Sequence, residues 1–520
     1  MVDDLSDFST RGTERQLDGD HPIPLFAATV TAFIGRTLRG PLNQSIRVGS
    51  FEEFRRIFGG HGSFSFLSYT VRQYFQHGGK IALIVRVANR AISATLELPA
   101  DNQTLHLQAR EPGNQCYLRA SVDYDGIGKD STRFNLVVQR LTRPGSQLVE
   151  DQELFQLLSM NEGDQRYIVD ILRNSALIRL ARPLPRQRPD ATHATHPGQP
   201  IPYVEMRSNG SDGETLTDYD IIGSNDEGTG LFALDDDEQI DLLCIPPAPS
   251  GRDFGITTFL AAERYCEKRK AMLIWDPASS WSSPEAALLG LRDSGFASQN
   301  AMTYYPRVRS SEHNGRIQAA IPASGVIAGL FSRHDQSGVW RKPEESDMRL
   351  KVGLSAAESM TDRQVLMLQR NGINTFTQTD RGAFELCGNV SLVGPRAISR
   401  LWRRLDRRRL TLYILGTVER HTSWALARLR DDKLWQSLVH QVGVFLTELF
   451  EQGALVGRHP SQAFSVKAEP VLQRNEAELV LRIGFALEKA GEFQVYDIVH
   501  RNDGSATRPA LPLKASQLAG

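Results

Sequence analysis

The chain reads as a multidomain protein of mixed α/β and α+β class. It has an α/β middle domain, an inserted antiparallel β-rich outer domain and a C-terminal α+β core domain. Three observations predict this. Strand-like apolar runs alternate with helix-length amphipathic segments over 21–92 and again from 238, which implies a mostly parallel sheet. Between 93 and 181 the runs are short, alternating, and separated by Gly, Asp, Asn and Pro, as antiparallel strands are. From Lys433 to His500 one long amphipathic pattern precedes three strand-like runs.

Residues 1–20 are polar and aperiodic and read as a flexible N-terminal arm. Residues 21–92 form an α/β segment. LFAATVTAFIG (Leu25–Gly35) is a buried strand, and the turn RGPLNQ leads to a short strand, IRV. Ser50, with Glu53 three residues on, caps a helix that Gly59 and Gly60 stop. A second helix buries Leu67, Val71, Tyr74 and Phe75 before Gly78 and Gly79. The near-continuous apolar run Lys80–Ala88 is a strand buried on both faces.

In the insert, 93–181, SATLELP, TLHLQAREPG, CYLRASVDYDG and RFNLVVQRLT are expected strands. DQELFQLLSM reads as a helix and YIVDILRNSALIRLA as a helix running into a strand. Residues 182–237 follow as linker and loop; RPLPRQRPDATHATHPGQPIP is proline-rich with almost nothing to bury. The α/β pattern resumes over 238–345, with strands at EQIDLLCIPP, AMLIWDP and NAMTYYPRV, and helices at TTFLAAERYCEKRK and SPEAALLGLRDS. IQAAIPASGVIAGLFSRHDQSG is a strand running into a helix.

Residues 346–490 are the expected C-terminal core, with LTLYIL read as an apolar strand after the basic run LWRRLDRRRL. Leu434, Trp435, Leu438, Val439, Val442, Phe445, Leu446, Leu449 and Phe450 recur at helical spacing. Asp431 and Asp432 suit the positive end of that helix, and Gly453 and Gly457 end it. AFSVKAEP, ELVLRIGFAL and EFQVYDIVH are strands. In the second, Leu479, Leu481, Ile483 and Phe485 share the better-buried face. Residues 491–520 carry the last strand and a tail.

No constellation for catalysis or cofactor binding emerges. IFGGHGSF lacks the lysine of a phosphate loop and follows a helix, so its glycines terminate that helix; His61 and His77 read as solvated loop residues. Ser324 stands at a strand-to-helix turn without the GxSxG elbow, and neither His313 nor His334 has a motif around it, so Ser324 reads as a helix cap. The acidic runs Asp218–Asp220 and Asp235–Glu238 lack a calcium-loop pattern and read as solvated loops. Catalytic, cofactor and metal residues are therefore expected to be none.

The net charge of -1 gives no electrostatic reason to expect nucleic acid or a membrane surface as partner. Arg403, Arg404, Arg407, Arg408 and Arg409 instead read as a charged rim for docking protein. Cys116, Cys244, Cys266 and Cys387 match no metal or redox spacing and read as reduced thiols of a protein made inside a cell. The N-terminus has no signal-peptide pattern, and no apolar run reaches the roughly 20 residues that span a bilayer.

Taken together the segments resemble contractile tail sheath proteins of phages and contractile injection systems. TAFIGRTLRGPLNQSIRVGSFEEFRRIFGG and YTVRQYFQHGGKIALIVRVA carry the likeness near the start. LLCIPP, YCEKRKAMLIWDP and IPASGVIAGLFSRHDQSGVWRKP carry it in the middle, and RRLTLYILGTVERHTSWAL, LFEQGALVG and ELVLRIGFALEKAGEFQVYDI at the end. Two stretches depart from the family pattern: no "SPGVYVEE" strand precedes Leu25, and KPEESDMRL stands where "APAN" is usual.

The resemblance implies a structural subunit, not an enzyme. It would self-assemble into a helical sheath, six subunits per ring, around an inner tube protein, with baseplate and terminator or cap proteins at the ends. It would be assembled in the cytoplasm of the producing cell and then reside in a phage virion or contractile particle. The alternative is a sheath-like terminal or baseplate-proximal component that does not polymerise; a hydrolase on the α/β module lacks a Ser–His–Asp pattern. The family links subunits through terminal strands, and Phe493, Gln494, Val495, Tyr496, Asp497, Ile498 and Val499 are the expected linking strand. Deletion from Glu492 onward would then leave a soluble protein that cannot assemble.

Overall fold

The computed structural model describes residues 22–514 apart from 26–27, 63–64, 129–130, 193–201, 238, 250–251, 311–319, 342–344, 394–400, 429–431, 473–476, 502–503 and 512. The arm expected over 1–20, His313 and Glu238 lie outside the described residues.

The chain enters the α/β body at β1 (Val30–Gly35), followed by β2 (Ser45–Val48), α1 (Phe51–Phe58), α2 (Leu67–Gln76) and β3 (Ile81–Arg86). Ser50 Oγ accepts from the Glu53 amide at 3.1 Å, and Glu53 Oε2 accepts from the Gly49 amide at 2.8 Å, so the expected cap forms. Gly59 ends α1 at φ 84, where a Cβ would lie 2.8 Å from Leu38.

The chain then builds the inserted β-rich module: β4 (Ser93–Ala100), β5 (Gln103–Pro112), β6 (Tyr117–Asp123), β7 (Phe134–Leu141), β8 (Val149–Leu158), α3 (Ile168–Leu172), β9 (Ile178–Leu180) and β10 (Val204–Glu205). Sheets ordered β4-β5-β9 and β10-β6-β7-β8 enclose one core that includes Leu98, Leu107, Leu118, Phe134 and Leu136. Two expectations fail here. DQELFQLLSM is no helix; Asp151–Leu158 lie in β8, an edge strand whose register against β7 is broken at two places. Nor is the start of 182–202 an exposed linker. Leu184 joins the module core, Tyr124 donates to Pro189 O at 2.7 Å, and Thr192 bonds the backbone of Val122.

After α4 (Asp218–Ile222) the α/β body resumes with β11 (Leu242–Cys244), α5 (Ile256–Arg269), β12 (Met272–Trp275), α6 (Pro284–Ser294), β13 (Ala301–Tyr305), β14 (Val308–Ser310) and α7 (Ser324–Asp335). It is completed by β15 (Leu354–Ala356), α8 (Asp362–Arg370), β16 (Asn374–Gln378) and β17 (Phe384–Cys387). The central sheet is eight-stranded, in the order β17-β16-β13-β12-β11-β1-β3-β2. Its inner strands are parallel and β2 and β17 are antiparallel edges. Residues 362–387, expected in the C-terminal core, thus complete this sheet.

Alternate side chains of β1 enter opposite cores, as strand geometry requires. Phe33 packs with Phe54, Phe58, Leu67 and Val326, whereas Ile34 packs with Leu243, Phe259 and Trp275. Gly325 and Gly329, one turn apart on α7, let that helix lie directly on α2. A Cβ there would come within 2.0 Å of Thr70 O and 2.5 Å of Tyr74 O.

His77 is buried and not a loop residue in solvent. Its Nδ1 bonds Gln73 O at 2.7 Å and its Nε2 accepts from the Lys351 amide at 3.1 Å. His61 is partly buried and stacked between Phe51 and Tyr69. The four cysteines are free thiols, buried at Cys116, Cys244 and Cys266. Among the described residues no helix is long and apolar enough to cross a membrane.

The C-terminal domain contains α9 (Leu405–Thr422), α10 (Asp432–Glu451), α11 (Pro460–Ala463), β18 (Phe464–Leu472), β19 (Ala477–Phe485), β20 (Glu492–Arg501), β21 (Gly504–Pro509) and β22 (Leu513–Lys514). LTLYIL is therefore helical. α9 lies between the α/β body and the terminal sheet and is buried nearly all round. A helix covered on every side has no polar stripe, and its apolar run imitates a strand.

Candidate assembly surface

The α/β body offers a serine and a carboxylate in contact, yet their setting is structural. Asp276, just beyond β12, accepts from the Ser324 amide at 2.9 Å and from Ser324 Oγ at 2.5 Å. Ser324 is fully buried and is the first residue of α7, not its cap; the N-cap is Ala323, and Asp276 supplies the carboxylate that satisfies the helix start. His334 is in the last turn of the same helix, so no base reaches the hydroxyl from it. Asp218 and Asp235 are bonded in place: Asp218 by the Gly255 amide and Thr257, Asp235 by Tyr265. Among the described residues, no group of three or more His, Cys, Asp or Glu could hold a metal ion.

The terminal sheet is a different kind of surface. Its strands run β18-β19-β20-β21, with β22 continuing the β21 side by pairing with Glu492 and Phe493. Leu479, Leu481, Ile483 and Phe485 of β19 are fully buried against α10, where Leu438, Val442, Phe445, Leu446 and Leu449 face them, as the helical and alternating patterns predict.

The expected linking strand, Phe493–Val499, lies inside this sheet. Gln494–Val499 pair with β19 on one side, and Tyr496–Val499 pair with β21 on the other. Phe493, Val495, Tyr496, Ile498 and Val499 are buried, and Phe493 closes over Gly484. Both edges of β20 are already used within its own chain, so it has no hydrogen-bonding edge left to offer. The open edges are the outer sides of β18 and β21, to which no strand among the described residues is bonded. β18 carries Pro470, which lacks an N–H and is at home on an edge.

The arginine run is also placed differently from expectation. Arg408 and Arg409 are buried, because α9 turns them into the α/β body. Arg408 bonds Asn300 Oδ1 at 2.7 and 2.8 Å, and Arg409 pairs with Asp335, to which Thr29 also donates at 2.7 Å. Burial would push the Asp335 carboxyl up, but Arg409, His334 and Thr29 together hold it below the usual carboxylate range. Arg403 bonds the carbonyls of Gln369 and Arg370 that end α8, and Arg407 is half-buried beside Asp406. Of the five only Arg404 is exposed, and it is bidentate to Asp406.

Positive charge faces solvent elsewhere. Lys467, Arg482, Asp497 and Arg508 stand opposite one another across β18, β19, β20 and β21. Asp497 binds Arg482 at 2.7 and 2.8 Å, which leaves Lys467 and Arg508 as exposed cations at the ends of the row. No motif marks this row. It depends on strand register, which a single strand's sequence does not contain.

No family model matches the sequence, and no curated protein matches it. Solved structures do. The sheath tail protein of Listeria innocua superposes with a TM-score of 0.58, covering 94% of this chain and 96% of its own at 13% identity. The fold is that of the tail sheath proteins. The sheath tail protein of Desulfitobacterium hafniense gives a TM-score of 0.52 at 12% identity, covering 94% of this chain and 97% of its own. The helical sheath of the anti-feeding prophage in its contracted state gives 0.52 at 14% identity, covering 93% and 96%. Three solved sheath folds thus match nearly end to end.

Proposed function

We propose that this chain is the structural subunit of a contractile tail sheath. It would stack as rings of six around an inner tube, attach to a baseplate and cap, and shorten to drive the tube through a target envelope. The observation that carries this reading is the end-to-end likeness to the Listeria sheath tail protein.

The terminal sheet supports it and alters the linking element. Main-chain bonding across a strand edge joins subunits with little dependence on side chains. The outer edge of β18, rather than Phe493–Val499, is the side proposed to receive a neighbour's terminal strand. Lys467 and Arg508, the exposed cations of the row, replace the arginines of α9 as the proposed tube- or subunit-facing charge. Assembly would store the work of contraction in subunit contacts, so the reading requires no nucleotide site.

Electron microscopy of the protein co-expressed with its inner-tube partner tests the proposal. Ordered tubes or stacked six-fold rings are expected; monomers alone under those conditions would overturn it.

A further inference from the structure

Over the C-terminal ends of β11 and β12 lies a cleft of about 210 Å³. Its walls are aromatic and aliphatic: Phe254, Phe259, Trp275, Trp281, Ile245 and Ile256. The indole of Trp275 is packed by Phe259 at 5.0 Å and Trp281 at 5.7 Å between ring centres, so the wall is held rigidly. The mouth is polar and accessible, with Ser280 exposed and Asp253 half-buried; Asp276, at 5% exposure, also lines the cleft.

The charges do not balance. Asp253 is neutralised by Arg307 at 3.2 Å, and Arg307 Nε and Nη2 also bond Pro277 O. Asp276 forms no ion pair among the described residues; Ser324 gives it one amide and one hydroxyl, and the Ala323 amide and the more distant charge of Arg307 also act on it. A carboxylate has about four lone-pair sites, so acceptor capacity remains beyond these bonds. A carboxylate without an ion-pair partner beside aromatic rings is the combination that attracts organic cations, and the ends of parallel strands are where α/β sheets hold ligands.

We propose that this cleft binds an organic monocation, an alkyl- or arylalkylammonium whose apolar body lies among Trp275, Trp281, Phe254 and Phe259 and whose ammonium meets the Asp276 carboxylate. A neutral molecule of the same shape would gain only the apolar part. Burial holds the Asp276 carboxyl up to about 6 against the bonds from Ser324 and the pull of Arg307. The other titratable groups facing it are Asp253 at the mouth and the buried thiol of Cys244 on β11. The carboxylate is therefore charged at pH 7.5 and mostly neutral at pH 5, so cation binding strengthens as pH rises through this range.

The test is calorimetric titration of the full chain with 2-phenylethylammonium and with the neutral 2-phenylethanol, followed in parallel by tryptophan fluorescence. One ammonium per chain is expected, bound at least about tenfold more tightly than the alcohol at pH 7.5 and about tenfold more weakly at pH 5. Asp276→Asn should reduce the ammonium to the level of the alcohol. Equal binding of the two probes, no binding of the ammonium, or full retention in Asp276→Asn would each overturn the proposal. Should Asp276→Asn fail to fold because it also starts α7, Ala278→Trp narrows the mouth without touching that helix. Binding must then be lost, and its persistence would refute the site.

Discussion

β18 and β20 belong to one sheet, are nine and ten residues long, and both mix apolar with charged side chains. Yet β20 is bonded on both sides and β18 on one. Within the strands only Pro470 of β18 points to this difference. β20 is interior because the chain continues past it and returns twice, as β21 and β22. β18 is an edge because the elements before it are helices. Whether a strand can serve a neighbour is thus decided by the chain around it, and a late position in the sequence is a poor guide.

The strongest way to break the contrast is truncation after Gly491. Removing β20 takes the partner strand from β19 and opens the core over Leu481, Ile483 and Phe485. The expected result is insoluble protein, or soluble protein without near-ultraviolet dichroism from this domain. This reverses the outcome expected from an exchangeable strand. A soluble, natively folded product would show β20 to be detachable after all.

A gentler comparison uses alanine at matched apolar sites. Ile498 in β20 is fully buried, whereas Val466 in β18 is half-buried. Ile498→Ala should cost about 2–5 kcal/mol and Val466→Ala about 1 kcal/mol or less. Urea unfolding of the two variants measures the ratio, and equal losses would put both strands on the same footing.

Where the sequence was legible, burial was one-sided or uniform. The alternation of Leu479, Leu481, Ile483 and Phe485 identifies a buried face because the opposite face meets solvent at Arg482. The parallel strands β1, β3, β11, β12 and β13 are legible as apolar runs because helices cover both their faces. The misreadings have physical causes. α9 is covered on all sides, so Leu410–Leu415 carries no helical stripe, and Arg408 and Arg409 reach buried partners that lie far away in sequence. β8 is an exposed edge with Leu154 and Leu157 in solvent and Leu157 at φ 57, which breaks its alternation. β21, GSATRP, has no apolar periodicity at all. It is a strand because β20 holds it, so the interior position of β20 could not be read from its own sequence.

Titration sharpens the contrast with a smaller effect. His500 on β20 is buried, its Nε2 2.8 Å from Thr422 Oγ1 and its Nδ1 2.6 Å from Ser505 Oγ. Burial holds its imidazole down to about 4, against the opposing pull of Glu419. The unfolded chain binds a proton near pH 6.5 and the folded chain does not. Stability from the neutral ring is therefore full above about pH 6.5 and is lost as pH falls toward 4, by roughly 3 kcal/mol at most. His61 and His77 are lowered in the same direction, so the wild-type slope is shared among them. The difference between wild type and His500→Gln isolates this one. Urea midpoints at pH 7.5 and 5 should converge for the pair as pH falls, and a gap that does not change with pH would mean His500 is not held neutral by the fold.

The finest test leaves the sequence unchanged and reads single amides. Amides of β20 are bonded into ladders on both sides, so they should exchange hydrogen only through global unfolding. In β18, amides alternate between those bonded to β19 and those directed to its open side, which should exchange in the isolated subunit with little protection. A neighbour's strand on that edge would protect the second set and leave the first unchanged, because the inner ladder already exists. Mass-resolved exchange of monomer and assembled protein therefore distinguishes two architectures. Selective new protection in 464–472 follows from linkage through β18; new protection confined to 504–509 would move the link to the β21 edge, and no change at either edge would leave the subunits joined by side chains alone.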